Sequence, residues 1–446
     1  MNAQNPRLAG VKEAAASLSV EPYISESYAR EEKDKLWLKV WQIACREEEI
    51  PNVGDYYTYD ILDQSIIVAR SGPEEIVAYH NACRHRGKRL TAGCGRAQHL
   101  HCSYHGWQWN LKGESTLVTN REHWDGALDG LDLSLRGVKV GRWAGFVFIN
   151  PDPECEPLEA FLQTVPEWLD PFEMQKMRYK WRQWLTYPAN WKVVLEAFIE
   201  GYHAPATHPQ TQRYGTGVTS STSEGLHGRM VTVGTEGGGM GTAVGVVDSL
   251  APRDVPLGAL RMAEKTVWAN YTDTLIAAAE RISREMPEDA GSAEVGARLM
   301  EVACQIDADR GVVWPNIDPM HLAQVGINWH VFPNIVLLPG ITFALCFRIR
   351  PDGFNPDSCI TEIFTLERYP EGGEPQTEWV HAQEINEENW PLLLRQDFRM
   401  LAGVQAGMKS VALEGLLPNP DQEANVINFQ RNLADYMGRC VPELLD

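Results

Sequence analysis

The sequence predicts an α+β protein in two parts: a small antiparallel β module and a larger mixed domain. Three observations lead there. From Trp41 to Ile149, short alternating or β-branched runs recur between turns, as in Asp55–Tyr59, Ser65–Ala69, Glu75–Tyr79 and Gly145–Ile149. The stretch Pro151-Asp152-Pro153-Glu154-Cys155-Glu156-Pro157 then reads as a proline-rich linker. Beyond it, helical periodicities are followed by a series of strand-like runs.

In chain order, residues 7–36 read as helical, through Val11, Ala14–Ala16 and Leu18 to Ala29–Leu36. This gives an N-terminal helical segment, 1–40, expected to pack on the larger domain. Residues 41–150 form the β module, an antiparallel sandwich with Gly72-Pro73 and Lys112-Gly113 as turns. In the larger domain, 151–446, the run Gly237-Gly238-Gly239 reads as a loop and not as a phosphate cradle, because no strand–glycine–helix context with a lysine surrounds it. Residues 259–284 and 292–307 have helical periodicity, with Leu275, Ala278, Ala279 and Ile282 on one face. Strands are expected over 326–332, 335–338, 343–349 and 360–366, and a last helix over 393–404.

Composition narrows the function. A chain of 446 residues with 44% hydrophobic side chains builds substantial cores. Lys and Arg number 40 against 60 Asp and Glu, a formal charge of −20, which argues against nucleic acid or an anionic membrane as partner. There is no run of 18 apolar residues for a membrane span, and Met1–Pro6 shows no basic segment ahead of an apolar one, so no leader is expected. Nine cysteines at irregular spacing fit a reducing cytoplasm and no disulfide framework.

The chemistry lies in two clips, Cys83-Arg84-His85 and Cys102-Ser103-Tyr104-His105, with sixteen residues between them. A zinc finger pairs its cysteines in one place and its histidines in another. Here each clip holds one of each, so each can give one ligand to each of two metals. That is the ligand pattern of a Rieske [2Fe–2S] cluster, two cysteines on one iron and two histidines on the other; a mixed Cys/His zinc site is the competing reading. Cys94, between the clips, is left out as a lone thiol.

A second constellation lies in Asn190–His208. Trp191, Leu195, Phe198 and Tyr202 make one helical face, and Glu196, Glu200 and His203 fall at i, i+4 and i+7 on a stripe. Pro205 ends the helix near Ala204, after which the chain can return His208 towards His203. With one distant carboxylate, these two histidines would make the facial triad of a non-haem Fe(II) site. Asp397 is the first candidate, on the apolar face of its helix with Leu394, Leu401 and Val404, where an unpaired carboxylate is costly. An ion pair with Arg395 or Lys409 would also satisfy it, and Asp318 and Glu384 are alternative carboxylates.

With these motifs the chain resembles the α (terminal oxygenase) subunits of Rieske non-haem iron ring-hydroxylating dioxygenases and related monooxygenases. The resemblance runs through 41–150, 190–208 and the Gln396-Asp397…Gln405 segment. It implies a Rieske domain with Cys83, His85, Cys102 and His105 on the cluster. It also implies a helix-grip catalytic domain, a seven-stranded sheet around a long helix over an apolar pocket, with His203, His208 and Asp397 on one mononuclear Fe(II). A homotrimer follows, with or without a β subunit, in which Glu200 is the electron-transfer bridge between one subunit's cluster and the next subunit's iron. Aromatic dioxygenases usually have Asp at that bridge, and relatives that oxidise quaternary ammonium compounds have Glu. Residues 255–310 read as a helical insertion.

The expected function is hydroxylation of an aromatic or alicyclic organic substrate with O2 and electrons from a separate ferredoxin or reductase. No nicotinamide or flavin motif is present to supply them internally. The alternative is a monooxygenase acting as an O- or N-demethylase or on a quaternary ammonium compound. A carrier of electrons with the cluster alone is the competing class. Arg84, Arg86, Lys88, Arg89 and Arg96 form a basic patch around the first clip, read either as a docking site for an acidic donor or as solvated loop charge.

Overall fold

The computed structural model describes residues 14–213, 218–233, 250–440 and 443–444. The glycine run 237–239 and residues 7–13 of the expected first helix lie outside the described residues. The chain forms two compact units, one of residues 30–161 and the other of 1–29 with 162–446.

The smaller unit carries ten strands: β1 (Gln42–Arg46), β2 (Asp55–Ile61), β3 (Gln64–Arg70), β4 (Ile76–His80), β5 (Cys94–Arg96), β6 (His99–His101), β7 (Gln108–Asn110), β8 (Ser115–Leu117), β9 (Gly137–Trp143) and β10 (Phe146–Asn150). Seven pair in the order β1-β10-β9-β4-β3-β2-β5, and β6-β7-β8 make a second sheet. Tight turns set the registers. Between β9 and β10, Ala144 (φ 53°) and Gly145 (φ 81°) make a two-residue connection with positive φ at both positions, the twist that a right-handed hairpin requires. Cys83, Cys102, Trp107, Trp109, Leu100, Ile67 and Tyr79 form the core beneath both clips. The second clip is the loop of the β6–β7 hairpin. The first is not on a hairpin, as had been expected, because β4 pairs with β3 and β9 while β5 crosses to β2.

The larger unit contains β11 (Arg178–Tyr187), α1 (Trp191–Ala197), α2 (Ala204–Thr207), β12 (Val218–Glu224) and β13 (His227–Val233). Helices α3 (Val255–Thr266), α4 (Asp273–Glu285) and α5 (Ser292–Asp309) follow. Then come β14 (Asn328–Val331), β15 (Ile335–Pro339), β16 (Phe343–Pro351), β17 (Cys359–Glu367), β18 (Val380–His381), α6 (Leu392–Gly407) and α7 (Ala424–Met437). The sheet has eight strands, β12-β13-β14-β15-β16-β17-β11-β18, antiparallel except for the two-residue β18 on the edge. Seven were expected, and β18 is the addition. β15–β17 are apolar nearly throughout because helices cover them: α1 packs on β16 and β17, α7 covers β12 and β13, and α6 lies against α1.

Three expectations change. The N-terminal segment 1–40 is divided between the units. Tyr23 is bonded into the larger one through Glu196 and Asn190, whereas Trp37 and Lys39 belong to the smaller, where the Trp37 carbonyl accepts from Gln42 Nε2 (2.6 Å) and Lys39 pairs with Asp152 (3.1 Å). The proline-rich stretch is no free linker. Glu156 accepts the Trp41 indole N–H (2.9 Å) and Leu158 packs on Gly141, so the division falls at 161/162. The single helix expected over 259–284 is two, α3 and α4, broken where Trp268 (φ 58°) and Asn270 (φ 61°) turn left-handed and Thr272 caps α4 through the Leu275 N–H.

The helices of 255–310 share a hydrophobic core of their own, with Leu275, Ala278, Ile282, Met286, Val295 and Val302. Ile282→Ala should therefore lower unfolding stability by about 2–5 kcal/mol, measured by guanidinium unfolding. An unshifted midpoint would show that these helices hold no cooperative core.

Candidate metal centres

The two clips are the same turn built twice. Cys83 N–H bonds to Lys88 O and Gly87 N–H to Cys83 O. Cys102 N–H bonds to Trp107 O and Gly106 N–H to Cys102 O, all four at 2.9 Å. Gly87 and Gly106 close them at φ 77° each, a conformation costly for any residue with a Cβ. Each turn directs two backbone N–H groups at its sulfur, those of His85 and Arg86 at Cys83 and those of Tyr104 and His105 at Cys102. Burial pushes the Cys83 thiol up against those N–H groups. At Cys102, where burial also pushes up, the N–H groups and Cys83 prevail and hold it down. The two thiols are in mutual contact, and the His85 and His105 rings lie 4.6 Å apart. Trp107 stacks on His85 at 5.2 Å. His85 Nδ1 and His105 Nδ1 are buried without a hydrogen-bond partner. Two thiols and two orphaned imidazole nitrogens converging from paired turns fit a cluster ligated two-and-two. Cys94 is exposed on β5, in keeping with its omission.

Of the basic patch, Arg89 and Arg96 pair with Asp60 (3.3 Å) and Asp55 (3.7 Å), and Arg86 lies over the Tyr104 ring. Part of its charge is therefore answered within the unit.

The second centre is built on a broken helix. α1 ends at Ala197, so Glu196, Glu200 and His203 do not share a helical stripe as expected. The backbone turns away because the carbonyls a continuing helix would use are taken. Asn328 Nδ2 on β14 donates to Phe198 O (2.6 Å) and Asn425 Nδ2 on α7 to Ile199 O (3.0 Å). At Gly201 a Cβ would lie 2.4 Å from Thr219 Oγ1. Glu200 Oε2 then accepts the N–H groups of Tyr202 and His203, and α2 carries the chain to His208 with Pro205 in its first turn.

Glu196 instead turns inward, where its Oε1 accepts from Tyr23 OH (2.8 Å) and Gln430 Nε2 (2.6 Å). Burial raises its carboxyl to about 8, against those two hydrogen bonds and Lys192. Burial likewise raises the Tyr23 hydroxyl.

α6 brings Asp397, 3% exposed, to the two histidines. The Asp397 Oδ1–His208 Nε2 distance is 2.9 Å, Asp397 Oδ1–His203 Nε2 is 3.6 Å, and the ligating atoms of the three residues lie within 4.8 Å of one another. Their other ring nitrogens are engaged: His203 Nδ1 meets Glu200 Oε1, and His208 Nδ1 meets Gln396 Oε1 at 2.9 Å. Both partners are acceptors, so each Nδ1 carries the proton and each Nε2 turns a lone pair inward. Asp397 Oδ1, buried, has no hydrogen-bond donor. Three lone pairs thus face one another out of water, an arrangement that requires a cation. The alternatives for Asp397 are answered elsewhere. Lys409 pairs with Asp357 (2.5 Å), Asp318 caps a helix through the Met320 N–H, and Glu384 accepts from Asn386 Nδ2 (3.2 Å).

Sequence reading missed Gln396, Asn328, Asn425 and Glu196 as parts of this centre. Gln396 had a signal, being next to Asp397. The asparagines act from β14 and α7, more than a hundred residues away in sequence.

The model described as the Rieske [2Fe–2S] domain matches residues 40–126, and that described as the ring-hydroxylating α subunit (catalytic domain) matches 172–439. The carnitine monooxygenase oxygenase subunit of Acinetobacter pittii is 31% identical over 190 residues, 42% of this chain and 51% of that protein. The glycine betaine monooxygenase oxygenase subunit of Chromohalobacter salexigens is 34% identical over 194 residues, 43% and 42% of the two chains. The anthranilate 1,2-dioxygenase large subunit of Acinetobacter baylyi is 35% identical over 211 residues, 45% and 43%. This chain spans about half the length of the curated relatives it matches. Among solved structures, the quaternary ammonium Rieske monooxygenase CntA with L-carnitine aligns at TM-score 0.63 and 18% identity, covering 95% of this chain and 96% of that one. Naphthalene 1,2-dioxygenase bound to phenanthrene aligns at 0.59 and 19%, covering 98% and 95%. At such identities these structures establish the fold.

The Glu196 site makes a pH prediction. With the folded-state value raised to about 8 from 4.5, the folded protein keeps a proton that the unfolded chain releases. This acid therefore costs stability progressively as pH rises from about 4.5 to 8, and no further above that. Glu196→Gln should remove the slope, so its melting temperature should gain on the parent between pH 5 and 8. Parallel curves would mean that Glu196 is ionised when folded.

Proposed function

The chain belongs to the ring-hydroxylating α subunits, and on that premise we propose that it is the terminal oxygenase of a Rieske monooxygenase system acting on a quaternary ammonium compound. The observation that carries the oxygenase reading is the convergence of His203 Nε2, His208 Nε2 and Asp397 Oδ1 in a buried centre, on a chain that also bears the two Cys/His clips. Such a centre separates it from a carrier of electrons alone. The substrate class has two supports: the carnitine and glycine betaine monooxygenase subunits among the relatives, and Glu200 where aromatic dioxygenases usually carry Asp. The aromatic or alicyclic substrate expected from sequence becomes the second reading, which the anthranilate dioxygenase relative favours.

In this reading Cys83, Cys102, His85 and His105 hold the [2Fe–2S] cluster, and His203, His208 and Asp397 hold the mononuclear iron. When bound, these groups supply single-electron transfer and activation of dioxygen. The protein's own part is positional and electrostatic. Glu200 keeps the Nδ1 proton on His203 and Gln396 keeps it on His208, so both Nε2 lone pairs stay directed inward. Asp397 sets negative charge against the cation, and its burial excludes competing water. Glu200, already shared between the His203 ring and two backbone N–H groups, is assigned the role of electron-transfer bridge. Electrons come from a separate ferredoxin or reductase, and the working assembly is a cytoplasmic homotrimer. Oxidation of a carbon attached to a quaternary nitrogen yields a hemiaminal that breaks into a carbonyl compound and an amine, so one oxygen atom suffices.

Two experiments test this. Purified holoenzyme should contain about three irons per chain, two in the cluster and one mononuclear. Asp397→Ala, His203→Ala or His208→Ala should lose only the last, with the cluster spectrum unchanged, while Cys83→Ser or Cys102→Ser should lose the cluster signal. Full iron content in Asp397→Ala would place the carboxylate ligand elsewhere.

For the substrate, oxygen uptake with a partner reductase should rise with carnitine or glycine betaine, with amine released per oxygen consumed. Uptake driven only by benzoate or anthranilate would transfer the assignment to the aromatic class.

A further inference from the structure

The three ligands come from two places in the chain, and the structure joins those places away from the metal. On one side lies the junction of β11 with α1, which leads to His203 and His208. On the other lies α6, which carries Asp397. The Tyr187 hydroxyl, at the end of β11, sits in the α6 ladder one turn past Asp397, donating to Phe398 O and accepting the Ala402 N–H at 2.9 Å. One turn further on, Gln405 Oε1 accepts the backbone N–H of Asn190 (3.0 Å), the residue that caps α1 through the Lys192 N–H.

Gln405 uses its other end as well. Its Nε2 donates to Tyr23 O (3.1 Å) and to Asp357 Oδ1 (2.8 Å), and Asn190 Nδ2 donates to the same Tyr23 carbonyl (3.0 Å). The Tyr23 hydroxyl continues to Glu196 on α1. Tyr23, Asn190 and Gln405 are 0%, 2% and 3% exposed, so water cannot replace these bonds cheaply.

We propose that Tyr187 and Gln405 are positioning residues for the mononuclear centre, two bolts that hold the Asp397 helix in register with the segment carrying His203 and His208. The inference rests on the reading that those three residues hold iron. Neither bolt touches a ligand. An α-helix rises 1.5 Å per residue, so a small slide of α6 along α1 alters the separation of Asp397 from both imidazoles. Tyr187 blocks the slide by occupying the ladder, and Gln405 fixes the far end. Gln405 further ties the N-terminal Tyr23 to both sides of the joint, so that segment reports on the metal site without reaching it.

The test uses holoenzyme and a ferrous chelator, with the rate of mononuclear iron release read beside the cluster absorbance. Tyr187→Phe removes one bolt and Gln405→Met the other, at nearly constant volume. Each should speed release about tenfold, in the range typical of losing an outer-shell support, and each should shift the absorption bands of Co(II) bound in place of iron. The cluster spectrum should stay at the parent level. Ile282→Ala, in the remote helical core, is the control for general destabilisation and should release iron at the parent rate. Parent-like release in both bolt variants overturns the inference, as does equally fast release in Ile282→Ala at a matched drop in melting temperature. If one bolt variant fails to fold, the other decides. Absence of mononuclear iron from the parent protein would instead overturn the metal reading itself, and the inference with it.

Discussion

Repulsion among three lone pairs organises the larger unit. Asp397 Oδ1 and the Nε2 atoms of His203 and His208 are brought together out of water with no proton to share, an arrangement unstable without a cation. Folding that unit stores the repulsion in advance, and the rest of the sheet and its helices keep it from relaxing. Glu200 and Gln396 fix the tautomers, so neither imidazole can escape by turning its protonated side inward. Affinity for a metal is in this sense built during folding, because the strain and desolvation are already present before binding.

The smaller unit solves a related problem by repetition. Two turns of identical hydrogen bonding present one thiol and one imidazole each, and the N–H groups directed at the sulfurs favour thiolate. Both cysteines root in the core while both histidines stand at its edge. The repeat explains why so short a stretch of sequence announces itself: the geometry is local, set by two glycines and six residues per turn.

Locality also separates what was legible in the sequence from what was not. The clips, the strands of the sheet and the apolar face of Asp397 follow from spacing alone, and the structure has them where they were expected. The stripe of Glu196, Glu200 and His203 was misread because helical period cannot reveal that Asn328 and Asn425 take the carbonyls at 198 and 199. Glu196 faces Tyr23 and Gln430 as a result, away from the centre it had been grouped with. The boundary at 150 moved to 161 for a similar reason. Prolines mark a turn in the chain, but the Trp41 indole decides which unit that turn joins.

The side chains that hold the mononuclear centre in shape are mostly carboxamides: Asn190, Asn328, Gln396, Gln405, Asn425 and Gln430. Carboxamides do not titrate, so the frame is indifferent to pH, and they compete poorly for iron. They do age, because asparagine and glutamine are among the thermolabile residues. Deamidation at Asn328 or Asn425 would set a carboxylate against the very carbonyl its amide now supports. Prolonged heat would then erase the metal centre chemically while the sheet beneath it still stood, and the enzyme's working life would be set by amide hydrolysis as much as by unfolding.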